Sequence, residues 1–340
     1  MSATSATRER PLLFQRLPAL RERIAWMPLA AGLPTPVEPL RAFDLPRLFV
    51  KRDDRTSPLY GGNKVRKLEW LLADARRRGA RAVMTGGAWG SHHALATALF
   101  AREAGLRATL YLWPQPRTPH VDEILAADRA SGARILRTLS PALIPWGRLR
   151  ARIACLAAGE GLPYSVPMGG SDALGTLGYV EAGLEVAAQV EAGLLPPPDA
   201  VLVAAGTCGT LAGLVVGLGL AGFSAPRVVG VRVVPAFIAS EARVRSLVSG
   251  ALALLGLREG LGCELPRFEI LGDQLGRGYG HETPAAVEAR DAARVAGLET
   301  DTTYTAKALA GVRVFASTPE RREKVLLYVH TLGHLPGAKP

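Results

Sequence analysis

Gly61-Gly62-Asn63-Lys64-Val65-Arg66-Lys67-Leu68-Glu69 places a lysine where a protein rarely wants a positive charge. The two glycines permit a tight turn, Asn63 is a good helix N-cap, and Val65, Leu68, Leu71 and Leu72 follow at helical spacing. Lys64 is thereby predicted in the first turn of a helix. There the helix dipole and the unpaired N–H groups favour anions and disfavour an ammonium, by a few tenths to ~1 kcal/mol. Burial pushes the same way, towards the neutral amine. A neutral amine is a nucleophile, and amine nucleophiles make Schiff bases.

Lysine is scarce in this chain: there are six, Lys51, Lys64, Lys67, Lys307, Lys324 and Lys339, beside many arginines. Lys51 belongs to a strand that runs into Asp53-Asp54, where a salt bridge is expected. Lys67 is one turn beyond Lys64 and can face the same ligand. Lys307 falls in a predicted helix, Lys324 precedes a strand, and Lys339 lies in the tail. The competing reading of Lys64 is a solvated first-turn lysine.

A chain of 340 residues exceeds what one core usually serves, so two domains, or one large α/β unit with a subdomain, are expected. The formal charge of +11 is spread over dispersed arginines. Its one dense cluster, Arg76-Arg77-Arg78 with Arg81, follows a predicted helix and lacks interleaved aromatics, which argues against nucleic acid. Cys155, Cys208 and Cys263 are odd in number and far apart, forming neither a metal pattern nor a disulfide framework, so a reducing cytoplasm is expected. Residues 1–11 are polar, without the apolar core of a secretion signal. Residues 201–223 are uncharged and long enough to span a bilayer, but Gly206-Thr207-Cys208-Gly209-Thr210 interrupts them. A buried strand, a glycine turn and a buried helix explain that segment better than a membrane span.

After the proline-rich stretch 33–40 and a strand at 48–50, strands are predicted over 81–85, 108–113, 134–137, 164–166, 200–205, 228–234, 268–270 and 325–329. Helices are predicted over 94–104, 121–130, 147–158, 177–191, 211–220, 240–255, 284–296 and 307–315. Alternation of strand and helix with short loops predicts parallel sheet with right-handed crossovers. Parallel sheets bind ligands at the carboxyl ends of their strands. The loop Gly86-Gly87-Ala88-Trp89-Gly90-Ser91-His92-His93 is such a place, although Ser91 also reads simply as a helix N-cap. The turn from Gly206 to Thr210 is another, its backbone N–H groups and two hydroxyls suiting a phosphate. It is not a dinucleotide turn, because the spacing is not G-x-G-x-x-G and the next strand carries Arg232 rather than an acid.

These stretches resemble, in order and spacing, the aminocyclopropane-carboxylate deaminase / D-cysteine desulfhydrase family of pyridoxal-phosphate (PLP) enzymes. The resemblance runs from Val50-Lys51-Arg52-Asp53-Asp54 and Gly61 to Glu69, through the loop of Gly86 to His93 and the run of Tyr164 to Tyr179, to the turn of Gly206 to Thr210. It continues in Gly278-Tyr279-Gly280, in Asp301-Thr302-Thr303-Tyr304-Thr305-Ala306-Lys307 and in His330-Thr331-Leu332-Gly333-His334, covering 34–336 in all. It implies a tryptophan-synthase-β-like α/β fold (PLP fold type II): two three-layer α/β/α domains with mostly parallel twisted sheets. The large PLP-binding domain would comprise 1–66 plus 165–340, the small one 67–164, with the cofactor between them.

Carried onto this chain, the resemblance implies that Lys64 holds PLP and serves as base, beside Lys67. It implies that Gly206, Thr207, Cys208, Gly209 and Thr210 hold the phosphate, that Thr305 meets the pyridine nitrogen, and that Ser91, Tyr279 and Tyr304 position substrate. Gly90 and His92 stand where the family has Gln and Asn, and residues 114–122 also depart from its pattern. His92 replaces the asparagine that contacts the cofactor's phenolic oxygen, and it titrates. Thr305 in place of a glutamate makes the ring a weaker electron sink and resembles the desulfhydrase side of the family. The implied reaction is elimination and deamination of a small amino acid such as D-cysteine to an α-keto acid, ammonia and sulfide. Alternatives are a cyclopropane-carboxylate deaminase, a racemase or a β-replacement enzyme, and, because of Gly90 and His92, a ligand-binding protein without turnover. A homodimer is implied; no metal, nucleic acid or membrane is.

Overall fold

The computed structural model describes residues 11–257 and 264–334; the readings placed on 1–10, Cys263, Pro336 and Lys339 lie outside them. The strands are β1 (Val37–Pro39), β2 (Leu48–Arg52), β3 (Ala82–Ala88), β4 (Arg107–Trp113), β5 (Arg134–Arg137), β6 (Tyr164–Ser165), β7 (Ala200–Ala205), β8 (Arg227–Arg232), β9 (Phe268–Leu271) and β10 (Leu326–His330). The helices are α1 (Leu12–Arg16), α2 (Leu20–Arg23), α3 (Asn63–Arg77), α4 (His92–Glu103), α5 (Pro119–Ala130), α6 (Ile144–Ala157), α7 (Ala173–Glu191), α8 (Gly209–Leu220), α9 (Glu241–Leu255), α10 (Pro284–Val295), α11 (Thr305–Phe315) and α12 (Pro319–Arg322).

Two sheets form, a six-stranded one in the order β1-β2-β10-β7-β8-β9 and a four-stranded one in the order β5-β4-β3-β6. Every pairing is parallel except that of β1 with β2, where the proline-rich stretch makes an antiparallel edge. Proline suits such an edge because it has no N–H to give a further strand.

Strand periodicity makes each sheet the middle of three layers. In β7 and β10, Val201, Val203, Leu327 and Val329 face the core under α7, α8 and α9, while Leu202, Leu326 and Tyr328 face the core under α10 and α11. In β3, Val83 packs towards α3 and α4 and Met84 towards α6. The uncharged stretch 201–223 is β7, a turn and α8, buried on both sides of the turn. No described helix is long and apolar enough to cross a membrane.

Helix starts run ahead of the periodic residues where a polar cap precedes them. Thus α7 begins at Ala173, because the Asp172 side chain accepts the Gly175 N–H (2.7 Å), although Gly175 and Gly178 hide the helix from a pattern search. Gly62 rather than Asn63 is the N-cap of α3. Its φ is +89°, and a Cβ there would lie 2.8 Å from the Leu332 carbonyl oxygen, so only glycine makes this turn. Asn63, freed from capping, donates from Nδ2 to Thr210 Oγ1 (3.0 Å).

Asp128 of α5 is fully buried with neither carboxylate oxygen hydrogen-bonded among the described residues, and burial pushes its pKa up to about 8. The folded chain then holds a proton that the unfolded chain, at 3.8, releases, so stability falls as pH rises from about 4 to about 8. Asp128→Asn is expected to raise the melting temperature at pH 8 and to raise it by much less at pH 5, where only part of the cost of the buried carboxyl has accumulated. Thermal unfolding at both pH values checks this, and equal shifts at the two would refute it.

Candidate active site

The carboxyl ends of β3 and β7 open on one cavity of about 560 Å³ between the two sheets. Every residue given a catalytic or cofactor-binding role from the sequence lines it except Gly209, whose neighbours on both sides do. Lys64 enters from the first turn of α3, as its position in the sequence predicts. Burial brings its pKa down to about 8, against the opposing pull of Asp301. Its Nζ donates to Asn63 Oδ1 (2.5 Å). A solvated first-turn lysine is thereby set aside.

The other face of α3 is tied down by a buried ionic cluster. Arg66, with no exposed surface, donates to Asp53 (2.8 and 3.0 Å) and to both oxygens of Glu185 (3.0 Å each). Lys51 completes the cluster on Glu185 (2.6 Å), so its salt bridge goes to α7 rather than to the aspartates that follow it in sequence. Tyr179 adds a hydrogen bond to Asp53 (2.6 Å). Two cations and two anions thus compensate one another, and burial, which would raise the Glu185 pKa, is outweighed by Arg66 and Lys51.

Lys67, one turn beyond Lys64, donates to the Gly169 carbonyl and to Ser171 Oγ (3.0 Å each). Burial first, and the Lys64 charge second, hold its pKa well below the ordinary lysine value. It faces the turn before α8, where Cys208 takes φ +67° and aims the first N–H groups of the helix into the cavity. A Cβ on Gly209 would come within 2.5 Å of Ser171 Oγ and 3.0 Å of Lys67 Nζ, so the absent side chain leaves the room there. Thr207 Oγ1 hydrogen-bonds Ser171 Oγ (2.7 Å). Amide N–H groups, hydroxyls and the lysine amines of Lys64 and Lys67 in one part of the cavity make a donor set that suits a phosphate.

Opposite stand Tyr279 and Tyr304, their hydroxyls 2.5 Å apart. Burial pushes Tyr279 up to about 12 and Tyr304 well above its ordinary value, so both keep their protons. Asp301, quoted within a motif but given no role from sequence, organises this wall. Its carboxylate accepts the N–H groups of Thr303, Tyr304 and Thr305 and the Thr305 hydroxyl (2.6 Å). Thr305 and Asp301 both line the cavity.

Ser91 is the N-cap of α4, its Oγ accepting the Ala94 N–H (3.3 Å), and it also reaches the cavity. His93 Nε2 meets Thr85 Oγ1 (3.0 Å), while its buried Nδ1 has no partner among the described residues. His92 differs from the expectation that it hydrogen-bonds a ligand, because both ring nitrogens are engaged within the protein. Nδ1 meets the Tyr60 hydroxyl (2.5 Å) and Nε2 meets His120 Nε2 (3.0 Å). Burial first, and His120 second, lower its pKa, so the ring is neutral. The sequence marked residues 114–122 as a departure but did not name His120 within it, which sits 28 residues from its partner.

The family described as pyridoxal-phosphate dependent enzyme matches residues 29–331. The D-cysteine desulfhydrase of Salmonella paratyphi A is 35% identical over 320 residues, covering 89% of this chain and 92% of that one. Among solved structures, an ACC deaminase homologue superposes with a TM-score of 0.79 at 32% identity, over 95% of this chain and 94% of the other. The processed form of threonine deaminase isoform 2 from Solanum lycopersicum gives a TM-score of 0.61 at 15% identity, over 95% and 85%, a likeness of fold alone.

Arg66→Met removes one member of the buried cluster and leaves Asp53 and Glu185 undercompensated, which is expected to destabilise the fold by about 3–5 kcal/mol. Urea unfolding measures it; a loss below ~1 kcal/mol, the range of an exposed pair, would refute the assignment.

Proposed function

The chain belongs to the pyridoxal-phosphate-dependent enzyme family, and within it we propose that it removes the β-substituent and the amine of a small amino acid, D-cysteine, giving pyruvate, ammonia and sulfide. Its fold is the tryptophan-synthase-β-like type II fold of that family. One observation carries the reading: a half-buried primary amine, Lys64, with its pKa lowered to about 8, stands in a cavity that also presents a phosphate-shaped donor set. The 35% identity to a D-cysteine desulfhydrase supports the substrate.

Pyridoxal phosphate, when bound here, supplies an aldehyde carbon and an electron-accepting ring. The remaining work falls to side chains. Lys64, neutral for much of its population near pH 8, takes the proton at substrate Cα and returns it elsewhere. Lys67, the N–H groups from Gly206 to Thr210 and the hydroxyls of Thr207 and Thr210 would hold the phosphate, and Thr305, in the same cavity wall, would meet the ring nitrogen. Tyr279 and Tyr304, both protonated, donate to the substrate carboxylate or to the departing sulfur. Ser91 would position the substrate from the start of α4, and His92 would border the cofactor from the cavity wall.

The larger, cofactor-binding domain comprises 1–66 plus 165–340 and the smaller 67–164, a division supported by the two separate sheets. A cytoplasmic location is supported by Cys155 and Cys208, both buried and free. A homodimer is supported by the exposed apolar stripe Trp146, Leu149, Ile153 and Leu156 along α6. Light scattering giving the mass of one chain would remove the dimer.

Lys64→Ala is expected to abolish the yellow band that the protein develops with pyridoxal phosphate. In the unaltered protein the rate of that development should rise with pH through about 8, because the neutral amine is the reactive form. Pyruvate and sulfide are then assayed with D- and L-cysteine. Release of both from the D-enantiomer bears the reading out; a coloured protein that releases neither from D-cysteine overturns the substrate.

A further inference from the structure

The two stretches that depart from the family pattern, Gly90 with His92 and residues 114–122, meet in space. Gln115 Oε1 accepts the Gly90 N–H (3.2 Å), and a Cβ at position 90 would lie 2.9 Å from Gln115 Nε2. Glycine at 90 therefore lets the segment ahead of α5 lie against the start of α4. That segment ends at the Thr118 cap of α5 and delivers His120 onto His92, with ring centroids 5.0 Å apart and the Nε2 atoms 3.0 Å apart. The two departures are one structural change.

Together they make a line of hydrogen bonds from the interior to the surface. Tyr60 is 1% exposed and lies behind the cavity-lining Gly333, where a Cβ would meet its hydroxyl at 2.8 Å. His92 is in the cavity wall. The His120 side chain is 39% exposed, and its Nδ1 is 3.6 Å from Glu123 Oε2 on the outer face of α5. The tautomers set the direction of the line. With a hydrogen of His120 on Nδ1, towards Glu123, and none on Nε2, His120 Nε2 accepts from His92 Nε2–H, and His92 Nδ1 accepts from the Tyr60 hydroxyl. Each donor points outward. Lys64, Asp301 and His334 also act on His92, and burial keeps that ring neutral, so it serves as a link without becoming a cation.

We propose that Tyr60, His92 and His120 conduct protons between the active-site cavity and solvent, His120 acting through His92. Outward, His120 releases its Nδ1 hydrogen to Glu123 or water and takes one at Nε2 from His92. His92 in turn takes one at Nδ1 from Tyr60, whose oxygen takes one from a protonated water or substrate group in the cavity beside Gly333. Three N–H or O–H bonds break and three form along the line, and no charge is left on it. The inward direction reverses each step. The inference rests on the lyase reading only for its purpose, since elimination must clear a proton from Cα and supply protons to sulfide and amine in a largely enclosed cavity.

The test uses protein carrying ¹⁵N-labelled histidine, without substrate, and the variant His120→Gln, which keeps a polar group at a half-exposed position but cannot relay. The unaltered protein should show scalar coupling between the two Nε2 atoms. Exchange of the His92 ring hydrogen with water should slow by roughly tenfold or more in His120→Gln and recover with free imidazole in the buffer. Unchanged exchange overturns the conduit. In weak buffer the same variant should lose turnover to a similar extent with KM little altered, again rescued by imidazole. Slowed exchange without any release of pyruvate or sulfide sinks the lyase reading and leaves the conduit standing. Sulfide release together with unchanged exchange does the reverse.

Discussion

Arg66 and Lys64 share two turns of one helix and point to opposite sides of it, and the fold hangs on that opposition. The guanidinium is locked by Asp53 from the end of β2 and Glu185 from α7, with Lys51 balancing the charge. Such a cluster adds little net stability over an apolar core but is severe about geometry, because each member left unpaired would be a buried charge. It therefore fixes the rotation of α3, and the rotation of α3 fixes where the Lys64 amine stands. Glu69, further along the helix, binds the N–H groups of Leu29 and Ala30 and ties in the amino-terminal segment.

What the anchored helix presents to the cavity is an excess of positive charge with little to answer it. Lys64 and Lys67 lie one turn apart, both with pKa values lowered first by burial, and Lys67 further by its neighbour. The carboxylate nearest in the wall, Asp301, is already committed to three N–H groups and a hydroxyl. A protein ordinarily avoids this state, and it persists here because a dianionic ligand resolves it. Arrival of a phosphate beside Lys67 would favour the ammonium form, so binding of the anion and uptake of a proton are linked.

Much of this was legible in the sequence, and for local reasons. Val65, Leu68, Leu71 and Leu72 announce α3, and the short continuous apolar run of β7 announces a buried strand, because each pattern lies within one element. The glycine turn before α8 was legible as a strand-to-helix turn for the same reason. The cap of α3 was misplaced by one residue, since what selects Gly62 is the backbone at Leu332, distant in sequence. Glu185 as the partner of Lys51 is 134 residues away, and His120 as the partner of His92 is 28 away. No periodicity carries such pairings; only the completed fold brings them together.

Thr305 shows how the fold changes what a residue type implies in isolation. As a lone hydroxyl it promises a weak hold on a cationic ring nitrogen, and that is how the sequence presents it. In the fold its hydrogen is committed to Asp301 Oδ2 at 2.6 Å, while its oxygen also accepts the Asp301 N–H at 2.8 Å. What the hydroxyl has left to give the cavity is a lone pair, made more electron-rich by the carboxylate behind it. An acceptor of that kind favours a partner that carries a hydrogen over one that does not. The negative charge a glutamate would bring to this position is thus present one bond further back, on Asp301, and the threonine transmits it. Residue type at position 305 alone is a poor guide to the electrostatics of this wall, because the wall's charge belongs to the pair.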